Sequence, residues 1–133
     1  MKLAALSLLA TVVLTGYGCS NSTHISPTVV EGAELFEVVA TPTMQTSHTG
    51  VTCVGARGQV WIKDGTVGGV LTDDRQRNFK ITGRLKADHS VEAGIAVNGQ
   101  LVASWGGQVR HNAGHGSWRD ESGCQGDWRL SSL

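Results

Sequence analysis

Proline is scarce in this sequence. Pro27 and Pro42 are the only two, and none follows Gly50. Proline has no N–H to give to a strand ladder, so nothing from Gly50 onward interrupts a sheet. Charge is low as well: 17% of residues are charged, with 11 basic against 11 acidic. No basic field exists to hold nucleic acid. The longest apolar run, Leu3 to Gly16, spans 14 residues, whereas a helix needs about 20 to cross a bilayer core. No helical period of useful length follows residue 50. The nucleophile elbow G-x-S-x-G, a phosphate-cradling glycine loop and a Cys/His nucleophile pair are all missing. These absences argue against an enzyme and against a cofactor.

What is there begins at the N-terminus. Lys2, the short apolar run and the small residues after it form the three parts of a secretory signal peptide. Composition changes at Cys19, after which Ser20, Asn21, Ser22 and Thr23 are polar. The stretch Gly16-Tyr17-Gly18-Cys19 resembles the lipobox of bacterial lipoproteins, with Gly16 standing where that family has Leu. The resemblance covers the first 20 or so residues. It implies cleavage before Cys19, a lipid on its thiol and acylation (palmitate) of the new amino terminus. Ser20 in place of Asp implies the outer membrane, facing the periplasm or the cell surface. Gly16 and Gly18 also suit an ordinary signal peptidase, which would leave a plain exported protein, and an uncleaved anchor is a third reading.

Cysteine arithmetic agrees with export. With Cys19 lipidated, Cys53 and Cys124 remain as an even pair, and an exported domain sits where disulfides persist. The alternative is two unpaired buried thiols. Removing Lys2 with the leader leaves 10 basic and 11 acidic residues, a net charge of −1. The organisation expected is a signal peptide over 1–18, a lipidated tether over 19–48 and a β domain over 49–133. Within the tether, Val29 to Ala40 reads as either a strand or a short helix, leaning to strand through its Val and Phe content.

From Gln59 onward the sequence alternates. Phe79, Ile81 and Leu85 fall on one face, and Lys80, Thr82 and Arg84 on the other. Val91, Ala93, Ile95 and Val97 repeat the pattern, as do Leu101, Ala103, Trp105 and Val109. Asp64-Gly65 and Asn98-Gly99 are dipeptides of tight hairpins. Strands are expected near 59–63, 66–72, 78–85, 91–97, 100–109, 116–120 and 126–132. This is an all-β, antiparallel, up-and-down meander. Glycines inside the strands favour a barrel over an open sandwich.

Four residues stand out as binding candidates: Trp61, Trp105, Trp118 and Trp128. Trp61 faces away from Val60 and Ile62 and so points outward. "GSWRD" at Gly116 and "GDWRL" at Gly126 form a near-repeat, placing Trp118 and Trp128 on adjacent strands as core plugs or as pocket walls. His111 and His115 sit four apart, a metal spacing on a helix that means little in a loop. Asp88-His89-Ser90 reads as a turn and Asp73 to Arg77 as a solvated hairpin tip. The function expected is a non-enzymatic binding module, held on the membrane by its lipid anchor, for an envelope protein partner such as an inhibitor, an immunity or exclusion factor, or an accessory subunit. The alternative is a carrier of a small lipid or glycan in a Trp-lined pocket.

Overall fold

Alternating side chains make two-faced strands, and eight such strands curl until the last meets the first. The computed structural model describes residues 30–133. The expected signal peptide, Cys19 and the first part of the expected tether, up to residue 29, lie outside these described residues. The strands are β1 (Glu34–Pro42), β2 (Ala56–Lys63), β3 (Thr66–Asp73), β4 (Asn78–Leu85), β5 (Ser90–Val97), β6 (Gln100–Arg110), β7 (Ala113–Asp120) and β8 (Gln125–Ser132). Each pairs antiparallel with the next, and β1 pairs with β8, giving a closed up-and-down barrel.

β1 is the strand that the sequence left ambiguous and assigned to the tether. It belongs to the barrel, which therefore starts at Glu34 and not at residue 49. Its alternation is clean once the frame is set: Phe36, Val38 and Ala40 are buried while Leu35, Glu37 and Thr41 are exposed. Pro42 is tolerated because it is the last residue of the strand. The other boundaries fall within about three residues of expectation. The largest shifts are at β2, which begins at Ala56, and at β7, which begins at Ala113, so that only His111 and Asn112 separate β7 from β6.

The two ends of the barrel differ. At one end three short turns, 64–65, 86–89 and 111–112, join the strands, and Phe36, Ile62, Val67, Val91, Val109 and Leu130 pack the interior beneath them. The Asp88-His89-Ser90 turn is here, with His89 at φ 68°. The Ser90 hydroxyl and amide donate to the Asp88 carboxylate at 2.5 and 3.0 Å and hold its pKa below the ordinary value. At the other end the connections are 74–77, 98–99, 121–124 and the long segment 43–55.

β6 carries an irregularity that reverses one expectation. The register shifts between Ile95 and Ala96, so Ile95 faces Ala103 while Ala96 faces Leu101, leaving Val102 unpaired. An extra residue flips every side chain beyond it. Leu101 therefore points outward and is 63% exposed, where the alternation had placed it inside with Ala103 and Trp105.

Inward glycines let the sheet bend tightly. A Cβ on Gly58 would overlap the Val70 carbonyl of the adjacent strand, and backbone cannot step aside as a side chain can. Gly106 faces outward, and nothing lies closer than 3.9 Å to a Cβ placed there. Gly58→Ala is therefore expected to destabilise the barrel by about 3 kcal/mol, while Gly106→Ala stays within about 0.5 kcal/mol. Urea unfolding of both variants checks this; equal midpoints would remove the steric account.

Candidate functional site

The open end holds a cavity of about 240 Å³, formed because the side chains there do not meet across the barrel. Its walls include Leu71, Phe79, Ile95, Val102, Trp105 and Trp118, all reaching inward from the strands. The β6 bulge contributes directly, since it turns both Val102 and Ala103 toward the cavity.

The indoles are seated by glycines. In the β7–β8 register Trp118 faces Gly126, and Gly116 faces Trp128. Each ring lies over the glycine opposite: a Cβ on either glycine would come within 2.8 Å of the facing indole. This exchange is the structural meaning of the near-repeat. Trp118 donates its ring N–H to the Asp127 carbonyl at 3.1 Å, and Trp128 donates to the carbonyls of Gly106 and Ser117 at 3.2 Å. Trp128 stacks on Trp105, with centroids 5.9 Å apart and planes 15° apart. Trp128 is 3% exposed and forms the floor behind Trp105; Trp105 and Trp118 line the cavity itself.

Segment 43–55 straps the open end. Cys53 is bonded to Cys124 in the β7–β8 connection, with Cα atoms 5.6 Å apart. Thr49 Oγ1 donates to the Ser122 carbonyl at 2.7 Å. On the opposite side Arg75 donates to the Thr52 carbonyl at 2.9 Å, and Gly55 donates to the Asp74 carboxylate at 3.1 Å. The strap is thus fixed to two hairpins, and Val51 to Val54 complete the cavity wall.

Those two hairpins are built alike. The Oδ1 of Asp73 accepts from the amides of Arg75 and Arg77, both at 2.9 Å. The Oδ1 of Asp120 accepts from the amides of Ser122 and Cys124, both at 3.0 Å, and from the Ser122 hydroxyl at 2.7 Å. Each loop closes through a left-handed residue, Gln76 at φ 64° and Gly123 at φ 88°. The tip from Asp73 to Arg77 is therefore not simply solvated. Asp73 is 5% exposed, accepts Arg77 Nε at 2.7 Å and lines the cavity, while the Arg77 guanidinium lies 5.6 Å over the Phe79 ring.

No family model matches the chain, and no curated protein does. Among solved structures, a de novo designed fluorescence-activating β-barrel is similar. It aligns over 75% of this chain and 92% of its own length, at a TM-score of 0.51 and 13% identity. At that identity the likeness is one of fold alone.

The remaining candidates lie elsewhere. Trp61 faces outward as expected, but it lies flat over Gly68 on β3 and is half-buried, with the exposed Leu35 beside it on β1. His111 sits in the β6–β7 turn at the far end, and His115 faces outward from β7. Among the described residues no group of three or more His, Cys, Asp or Glu could hold a metal ion. Sequence reasoning missed Asp73, Asp120 and the strap. Asp at the strand end, with Gln76 or Gly123 three residues later, was the available signal for the twin hairpins.

Two outcomes are expected. Cys53 and Cys124 are 71 residues apart, so Cys53→Ala/Cys124→Ala should lose about 4 kcal/mol by loop-closure entropy; equal melting temperatures for the two proteins would remove that role. Asp73→Ala should lose about 3 kcal/mol, because two amides and a guanidinium lose their acceptor. Asp73→Asn should lose less, since an amide oxygen can still cap the turn. Equal losses in urea titrations would contradict the capping account.

Proposed function

We propose that this protein is an exported, lipid-anchored envelope protein whose barrel is a non-enzymatic binding module, and that it holds a small, largely apolar ligand in its strapped mouth. The carrying observation is the 240 Å³ cavity walled by Trp105 and Trp118. Ligand sites are typically concave and apolar with a few polar groups, and this cavity has that make-up, at a volume just below the usual range of about 300–1,000 Å³. A barrel of eight strands leaves room for side chains or one small ligand. Here the far end is filled and the mouth is not.

The anchoring part rests on the lipobox resemblance at Gly16 to Cys19. β1 begins at Glu34, at the packed end. The chain that follows Cys19 therefore joins the barrel at the end opposite the mouth. The reading as a module for a protein partner has one observation in its favour: Leu35, 41% exposed, lies beside Trp61 on the outer wall.

Both parts are open to test. The intact mass of the protein from membranes should begin at Cys19 and include acyl chains; a bare mass would remove the anchor. A panel of small cyclic compounds should raise the melting temperature of the oxidised protein in a saturable way. Trp105→Ala should change that response, whereas Trp61→Ala should not. A panel without effect would remove the ligand reading and leave the outer wall as the site to pursue.

A further inference from the structure

The polar groups of the mouth are not equivalent, and their difference points to a ligand class. Five charged residues line the cavity: Asp73, Arg75, Arg77, Asp120 and Glu121. Both arginines are engaged, Arg75 by the Thr52 carbonyl and Arg77 by Asp73 and the Phe79 ring. Asp73 is engaged as well, with both carboxylate oxygens occupied by the amides of Arg75 and Arg77 and by the Arg77 guanidinium.

Asp120 differs. Its Oδ1 takes all three hydrogen bonds that fix the β7–β8 turn, from the Ser122 amide and hydroxyl and from the Cys124 amide. Among the described residues, no hydrogen bond or ion pair reaches its Oδ2. The carboxylate is therefore held rigidly through one oxygen while the other is free to accept. Asp120 stands two residues from Trp118 on the same inward face of β7, and Trp118 is paired with Trp105. Glu121 adds a second acidic side chain to the lining.

We propose that the cavity selects a small organic cation, an alkyl or aryl ammonium, with its apolar body between the indoles and its charge on Asp120 Oδ2. Two physical effects act in the same direction. An ammonium on an oriented carboxylate is a charge-assisted hydrogen bond. The negative face of an indole attracts a cation as well. A carboxylate ligand would find only the remaining N–H groups of Arg75 and Arg77 at the exposed hairpin tip and would face Asp120 and Glu121 in a lining where acids outnumber bases three to two. This proposal rests on the small-ligand reading of the cavity.

The test uses the full chain in phosphatidylcholine nanodiscs, labelled with 5-fluorotryptophan and read by fluorine NMR. Its probes are cyclohexylmethylammonium, cyclohexylmethanol and cyclohexanecarboxylate, which share a body and differ in charge. Expected is movement of the Trp105 and Trp118 resonances with all binding probes, with the ammonium at least tenfold tighter than the alcohol and the carboxylate weakest. Asp120→Asn should weaken the ammonium about tenfold and leave the alcohol unchanged. Equal affinity for ammonium and alcohol would overturn the cation preference while leaving the cavity as a ligand site. Tighter binding of the carboxylate would overturn it in favour of the arginines. No movement of either resonance with any probe would overturn both this proposal and the ligand reading. Where Asp120→Asn does not fold, the charge series on the wild type decides alone.

Discussion

Closure governs this molecule. A strand edge left open exposes unpaired N–H and C=O groups, and only a closed sheet abolishes edges altogether. β1 makes that closure by pairing with β2 on one side and β8 on the other. Bending eight strands into so narrow a ring brings neighbouring backbones together on the inner face. Gly58 sits where a side chain would collide with the next strand. The interior that results is limited in volume, so large side chains fit only where smaller residues make room. Gly116 and Gly126 do that for Trp128 and Trp118.

That limited interior explains why the two ends differ. Branched aliphatic side chains and Phe36 fill the end with short turns, and a barrel of this width needs little more to be solid there. The other end carries large indoles on β6, β7 and β8 and small side chains on the next two strands of the ring, Ala40 on β1 beside Trp128 and Ala56 on β2. Opposite walls then fail to meet, and a cavity remains. Covering it falls to segment 43–55, which has no regular strand of its own beyond a single bridge between Thr46 and Thr52. It is held from within by the Ser47 amide on the Val51 carbonyl and the Cys53 amide on the Gln45 carbonyl, both at 2.8 Å, and from outside by the disulfide to Cys124 and the bonds from Thr49 and Arg75. The disulfide therefore stabilises the fold and defines the wall of the mouth together.

Much of the barrel was legible because period two is a strong signal where one face is buried. Seven strands, the tight turns at Asp64-Gly65 and Asn98-Gly99, the outward aim of Trp61 and the Cys53–Cys124 bridge could all be read from residue types and spacing. β1 was obscured by Gly32 before it and Glu34 at its first position, although its core alternation is as clear as any. Leu101 was misplaced because a bulge leaves no mark in a run of apolar residues: Leu101, Val102 and Ala103 permit either frame. The mouth was least legible. Asp73 looks like any charged tip residue until its partners are known, and those partners are mostly backbone amides.

The twin hairpins show how turn chemistry and site chemistry become one. An Asp at the end of β3 and another at the end of β7 solve the same local problem, closing a four-residue connection by accepting amides two and four residues on. The two solutions diverge at the fourth residue after the Asp. In the first hairpin that residue is Arg77, whose guanidinium returns to the second carboxylate oxygen. In the second hairpin it is Cys124, which is committed to Cys53 and offers no charge. The same cap therefore leaves a neutralised carboxylate on one side of the mouth and an unneutralised one on the other. An apolar cavity whose wall holds the unneutralised Asp120, with Glu121 beside it, has a polarity, and Asp120 owes its part in it to the residue choice that sets this turn apart from its twin.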